Sequence, residues 1–434
     1  KTFKAHIETR EGEVYPGYNE AKGVNHPVLF TGMTPIKWEG TTELETNEDD
    51  PDWYDYDEKR WANAKSADGS YWVWIPRYAY KIESCYHTSG EDCEALTGKQ
   101  AGDIDVKFLK GTTNITEDNT TIESAGYVAH EKDTSMHHFL HPAFQFDGEE
   151  FGFWVAKFEP TAAEGVVSGI SSCDERDNTT LKSVKIIPNA TSWRCINTSN
   201  AFKTSLALKD KTEIYSWHSS ELNSHMMTNY EWGAVTYLSK SQYGAPSEVW
   251  NNAYTGFKTG CSGSSVSASG EDTCVTYESE NGQKASTTHN IYGVYDMSGG
   301  AGEKVMANYN NLATFSGFSD VDILNTQAIY INRYKTTQND LFNGEGMNYD
   351  NRIYGDAVYE ISSDADRFDG SSSIGSSNGS WFSDYSFLPR VSNPWYVRGG
   401  DNTSKSYAGL FAFGRESGIG YWTGTFRPVL MPLK

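Results

Sequence analysis

The residues in this chain that could do chemistry are its cysteines, a histidine cluster and a group of carboxylates. The cysteines fall in three local pairs: Cys85 with Cys93, Cys173 with Cys195, and Cys261 with Cys274. None has the CxxC spacing of zinc or dithiol redox sites. Each pair brackets a polar, loop-like stretch, so three sequential disulfides are the economical expectation, each adding about 2–4 kcal/mol. Cysteine usage of this kind points outside the cytosol. His137, His138 and His141 lie close together in HHFLHP, but Pro142 and the flanking rings suit an extended lead-in to a strand. No further ligand stands at metal spacing nearby, and no metal is assigned. Glu149, Glu150 and Glu159 could in principle pair for hydrolysis, yet strand alternation sends some of them to opposite faces. GxSxG, HExxH and P-loop patterns are absent. The expectation is a protein without catalytic residues or a cofactor.

The elements that would carry these residues are short strands and long loops. Of 434 residues only 37% are hydrophobic, while 14% are aromatic, with 40 Gly, 27 Tyr and 13 Trp. So many rings exclude a disordered chain, and they must supply much of the core area. The formal charge of −22 repels phosphate backbones, which excludes nucleic acid as a partner. No apolar run approaches the roughly 20 residues of a membrane helix. The chain begins at Lys1, which fits a removed leader or anchor as well as it fits trimming. Seven N-x-S/T sequons, at Asn114, Asn119, Asn178, Asn189, Asn197, Asn378 and Asn402, suggest surface loops and a glycoprotein.

In chain order, residues 1–40 read as an extended N-terminal arm with little core of its own, and 41–69 as an acidic linker without EF-hand spacing. YWVWIPRYAYKI (71–82) predicts a strand, a Pro-marked bend and a second strand. EFGFWVAKFE (150–159) is the clearest alternating strand. Residues 94–134 form a polar excursion with a short strand near Val106. Residues 224–239 place Met227, Glu231, Ala234, Val235 and Leu238 at helical spacing, with Thr228 or Asn229 as the cap, which predicts one amphipathic helix. Residues 258–288 are Gly/Ser-rich loop, 307–389 are polar without regular structure, and 395–430 return to short strands. Strands around one helix imply an α+β domain.

Residues 290–305, NIYGVYDMSGGAGEKV, suit a buried turn packed on all sides, with Gly299 and Gly300 allowing backbone angles other residues resist. The stretch resembles the N-x-x-G-L-Y-D-M-x-G-N-x-W-E-W signature of the formylglycine-generating enzyme (sulfatase-modifying factor) family, a branch of the C-type lectin fold. The shared positions are Asn290, Gly293, Tyr295, Asp296, Met297 and Gly299. Other segments follow the family order. WVWIPRYAY and FWVAKFEPT resemble its opening strands, and MMTNYEWGAVTYLS resembles its helix at Thr228, Glu231 and Trp232. VRGG (Arg398, Gly399, Gly400) and TFRPV (Phe426, Arg427) resemble its closing strands. WVWIPRY, HPAF, EWGAV and YDMSGGA are also similar to surface and phage-associated proteins of Gram-positive gut bacteria. The resemblance implies a loop-rich C-type lectin fold of the formylglycine-generating-enzyme type over residues 70–434, with few helices, short strands and insertions at about 94–134 and 307–389.

The family's enzymes oxidise a substrate cysteine with copper held by two cysteines shortly after R-G-G-S. Here that window reads DNTSKSYAGLFAFGR and has no thiolate for Cu(I). Formylglycine synthesis is therefore not expected, and a diverged enzyme of that type is a distant alternative. The N-x-W-E-W segment has become Gly300-Ala301-Gly302-Glu303-Lys304, which leaves a structural calcium there unsupported. What the resemblance implies is an extracellular recognition protein, a phage receptor-binding or fibre protein or a bacterial adhesin. Its partner would be a cell-surface glycan or protein. The ligand-binding face is expected at Trp395, Tyr396, Tyr407, Phe411, Phe413, Arg415, Tyr421 and Trp422, with about half of these rings in the core and Tyr407 and Tyr421 most exposed. The calcium-dependent sugar motifs E-P-N, Q-P-D and W-N-D are absent. The alternative is a structural subunit of a filament, pilus or virion decoration, self-associating through its N-terminal arm.

Overall fold

The computed structural model describes residues 15–82, 103–122, 137–166, 173, 182–334, 354–358, 360–362 and 379–433. Its principal strands in chain order are β1 (Thr34–Glu39), β2 (Thr42–Glu45), β3 (Asn63–Lys65), β4 (Tyr71–Pro76), β5 (Gly152–Ala156) and β6 (Leu222–Met226). They continue as β7 (Gly302–Tyr309), β8 (Asn332–Tyr334), β9 (Trp395–Gly399), β10 (Gly409–Glu416), β11 (Gly424–Phe426) and β12 (Pro428–Pro432). The helices that matter below are α1 (Thr198–Ala207), α2 (Asn229–Ser239) and α3 (Asp320–Asn325). With about 30% strand and 15% helix, strands dominate a mixed α+β architecture.

The larger sheet runs β6-β12-β5-β4-β3-β1-β2, antiparallel throughout. Trp154 of β5 lies opposite Trp74 of β4 and Leu430 of β12, and the two Trp rings meet edge-on at 5.3 Å. Every residue of β4 and β5 is buried, so neither strand shows the expected alternation. The sheet is covered on both faces, and the polar edges of its rings find backbone partners. The Trp154 indole donates to Val28 O at 2.7 Å, and the Tyr56 hydroxyl donates to Trp74 O at 2.8 Å. Pro76 ends β4, and Tyr78–Ile82 leaves for a separate three-stranded sheet with Ile104–Phe108 and Phe139–Leu140.

The smaller sheet runs β8-β7-β9-β10, with β11 alongside β7. Successive residues of β7 point to opposite sides. Glu303 turns inward to Arg427, while Lys304 turns to Glu416, 2.7 Å away.

Helix α2 begins where its cap lies rather than at residue 224, because residues 222–226 are strand β6. Thr228 and Glu231 form a reciprocal capping box, and Glu231 also holds His225 Nε2 at 2.5 Å. The amphipathic expectation fails: every residue of α2 except Tyr230 is buried, as in a helix packed from all sides. Thr228→Ala is expected to cost about 1–2 kcal/mol of unfolding free energy in urea titration. An effect below about 0.3 kcal/mol would mean the cap is replaceable by solvent.

Several expected boundaries are corrected. The described part of residues 1–40 is not a detached arm: β1 is sheet-paired, and Val24, Phe30, Met33, Ile36 and Trp38 are core residues. The acidic stretch 41–69 is not a linker, since it supplies β2 and β3 and buries Trp53, Tyr54, Tyr56 and Trp61. Its rings turn inward while most of the interleaved acids stay at the surface. Helix α1, capped by Asn197 accepting from Asn200 N at 2.9 Å, falls where no helix was expected. The described part of 307–389 carries α3 and β8. Cys173–Cys195 and Cys261–Cys274 are bonded, and Cys85 and Cys93 lie outside the described residues.

Candidate ligand-binding site

The residues carrying the family resemblance meet in space. Residues 291–309 are buried without interruption. Within them Asp296 adopts φ +64, and its carboxylate accepts from Gly260 N at 2.9 Å, Asn252 Nδ2 at 2.8 Å and Glu159 N at 3.2 Å. These bonds offset the left-handed backbone. Gly299 and Gly300, at φ +76 and +69, turn so tightly that a Cβ on Gly300 would strike the Glu159 carboxylate. Gly299 N bonds Gly399 O at 3.1 Å, and the Trp232 indole bonds Leu410 O at 2.8 Å. The Arg398 guanidinium lies 5.4 Å from the Trp232 ring centre and donates to Asn229, Asp356 and Ala357. Asn290, Gly293, Tyr295, Met297, Gly400 and Phe426 complete this scaffold. Asn290 anchors to Lys59 O at 2.9 Å, and Phe426 packs 5.7 Å from Trp193.

An open groove of about 540 Å³ lies over the smaller sheet. Tyr385, Phe387, Phe413 and Tyr421 give it aromatic walls, and Asn393, Asp401 and Arg415 give it polar ones. The rings are held in series: Tyr385 is 5.8 Å from Phe387 and 5.1 Å from Tyr407. The Arg415 guanidinium lies 5.6 Å from the Phe387 ring centre and donates to Leu388 O at 3.1 Å, which fixes its plane. Glu416 borders the groove, its carboxyl raised by burial and partly brought back by Lys304. A Cβ on Gly424 would come within 2.5 Å of Lys304 Nζ, so a larger residue there would push the ammonium aside.

Of the eight residues expected on the ligand face, Phe413, Arg415 and Tyr421 border this groove. Tyr407 is half-buried behind Tyr385. Trp395, Tyr396 and Phe411 are corrected to core. Trp395 stacks on Phe318, Tyr396 meets Tyr334 at 4.7 Å, and Phe411 meets Trp381 at 5.2 Å. Phe413 is also almost wholly buried, so it contributes floor rather than display. Tyr421 is 42% exposed and Trp422 39%, but Trp422 packs against Phe257 away from the groove. Tyr385, Phe387, Asn393 and Asp401 were not expected. Tyr385 and Phe387 stand two apart just before Pro389, the spacing that puts both rings on one side of an extended segment.

The other chemically capable residues are structural. His138 Nε2 sits 2.8 Å from Asp105, and His141 is enclosed by rings. Among the described residues these histidines form no metal-holding group. Glu149 pairs with Arg77 at 2.6 Å, and Glu159 is buried beside Asp296. Of the sequons, Asn119 and Asn189 are exposed. Asn402 is only 3% exposed and donates to Tyr254 O at 3.2 Å, so its surface assignment is withdrawn. Asn197 caps α1, Asn114 accepts from Arg77, and Asn178 and Asn378 lie outside the described residues. Among the described residues no helix is long and apolar enough to cross a membrane. No protein-family model matches the chain, and no curated protein sequence matches it either.

Proposed function

We propose that this chain is a non-catalytic extracellular recognition protein, on a scaffold of the formylglycine-generating-enzyme type of C-type lectin fold, and that its groove takes a cell-surface glycan. The observation that carries this reading is the groove itself: Tyr385, Phe387, Phe413 and Tyr421 line it together with the amide of Asn393, the carboxylate of Asp401 and the guanidinium of Arg415. Sugar rings present apolar C–H faces and equatorial hydroxyls, which such walls match by stacking and by bidentate hydrogen bonds. The two disulfides favour an oxidising environment. The convergence of the signature turn, α2, β9 and β12 on one core supports the scaffold assignment. On this reading the groove would serve a phage fibre or a bacterial adhesin equally well.

A glycan array probed with the full chain tests this. Tyr421→Ala and Phe387→Ala should each weaken the selected glycan about tenfold or more. Trp422→Ala, outside the groove, should leave binding unchanged. Retained glycan binding in both groove variants would overturn the reading, as would a blank array alongside capture of a purified surface protein.

A further inference from the structure

The loop that brings Asp401 and Ser404 to the groove has no core of its own. Gly400 lies against Ala408, where a Cβ would come within 2.9 Å of the Ala408 Cα, so residues 401–407 leave the smaller sheet and return to it at nearly one point. In DNTSKSY only Asn402 is buried, so hydrogen bonds rather than packing must set the loop's shape. Those bonds come from one neighbour. Gly270 N donates to Asn402 O at 2.9 Å, and Ser269 Oγ donates to Thr403 O at 3.2 Å. Asn251 Nδ2 donates to Lys405 O at 2.6 Å, and Asn251 is itself tied to the same neighbour through Gly263 N at 2.7 Å and Ala268 O at 3.3 Å. The neighbour is the segment enclosed by the Cys261–Cys274 disulfide. It is as polar as the loop it holds: SGSSVSASGEDT (262–273) buries Ala268 and no larger apolar side chain. Its base is a ladder of two residue pairs, Cys261–Ser262 against Val275–Thr276, too short to stand alone.

We propose that the Cys261–Cys274 bond is a positioning element of the groove: by ordering residues 262–273 it sets Asp401 and, through Tyr407, the ring of Tyr385. Joining the ends of the segment removes conformational freedom that its few contacts could not overcome. The order passes on in two steps. The 262–273 segment fixes the backbone of 402–405, and the same loop then holds the aromatic wall. Tyr407 O accepts the Tyr385 N–H at 3.0 Å, and the two rings lie 5.1 Å apart. A wall set in place beforehand loses less freedom when a ligand arrives, so the bond acts on affinity. The opposite wall is held separately, by the Cys195 N–H on Tyr421 O at 2.9 Å. For its ligand the inference rests on the glycan reading of the groove.

Backbone hydrogen exchange on the full chain carrying Cys261→Ala and Cys274→Ala together, read beside its affinity for the array-selected glycan, decides the matter. Exchange across 262–273 and 400–407 should quicken at least about tenfold, while β5, α2 and residues 420–426 keep the parent's protection. Melting should stay cooperative, and the glycan should bind at least about tenfold more weakly. Unchanged exchange across 400–407 would overturn the proposal, as would unchanged affinity. Equal quickening in β5 and α2 would also overturn it, by showing that the bond staples the whole fold. A blank array would sink the glycan reading alone, and the exchange pattern would still decide whether the bond sets the wall. Should the double variant not fold, Ser269→Ala removes the donor to Thr403 O at a half-buried position. It should quicken exchange across 400–407 and weaken the glycan about threefold, and no change in either would overturn the proposal.

Discussion

Arg427→Met is expected to lower unfolding free energy by about 3–5 kcal/mol, the cost of stranding a buried charge partner. Arg427 is fully buried. Its guanidinium holds both oxygens of Glu303, with Nε to Oε2 at 2.8 Å, and donates to Ala156 O at 2.6 Å and Tyr295 O at 2.9 Å. Asp296 and Glu159 add their fields, and together the three acids hold the guanidinium proton more tightly than usual. Removing the arginine leaves three carboxylates in one dry space. Adding Glu303→Gln to Arg427→Met should restore part of the loss, because the stranded charge disappears with it. A double-mutant cycle in urea measures this coupling. A single-variant loss below about 1 kcal/mol would show that water reaches Glu303.

The same cluster fixes a sign for pH. Burial raises Glu159, Asp296 and Glu303 above the ordinary carboxylate range. The folded state therefore keeps protons that the unfolded chain has released. Their contribution is greatest below the unfolded carboxylate values and declines as pH rises through the folded ones. Arg427→Met should steepen that decline toward neutral pH.

The second large effect runs the other way. Burial lowers His141 to about 3, against 6.5 unfolded, with Tyr78, Tyr80, Tyr237 and Phe144 around its ring. Its Nδ1 accepts the Ala143 N–H at 3.3 Å, which needs the neutral ring. Above pH 6.5 neither state is protonated and the native fold bears no cost. As pH falls from there toward 3, only the unfolded chain gains the proton, and stability drops by about 4–5 kcal/mol. Denaturant midpoints between pH 7 and 4 should fall more steeply for the parent chain than for His141→Gln. The His141 ring resonances should not titrate above pH 4. A midpoint near 6 in those resonances would sink this expectation.

Local features were legible where one physical cause dominated. The two aromatic strands, the Thr228 cap, the tight turn at Gly299-Gly300 and the two described disulfides follow from side-chain volume, capping chemistry, φ freedom and loop length. Features set by distant partners were not. Trp53, Tyr54, Tyr56 and Trp61 sit among acids, and only the sheet they cover makes them core. Trp395, Tyr396 and Phe411 have the composition of a display surface, and only Phe318, β8 and the segment at Trp381 bury them. The groove escaped for the same reason. Half of its aromatic wall comes from Tyr385 and Phe387, in a stretch whose polarity suggested nothing ordered.

Strand β12 lies between β5 and β6, so Val429 is paired with Val155 across most of the chain's length. During synthesis that slot stays open until residue 432 has left the ribosome. Until then the nascent polypeptide carries two unsatisfied strand edges beside Trp154, a template for mispairing with its neighbours on a polysome. A producing cell must therefore either keep these chains apart or finish them quickly.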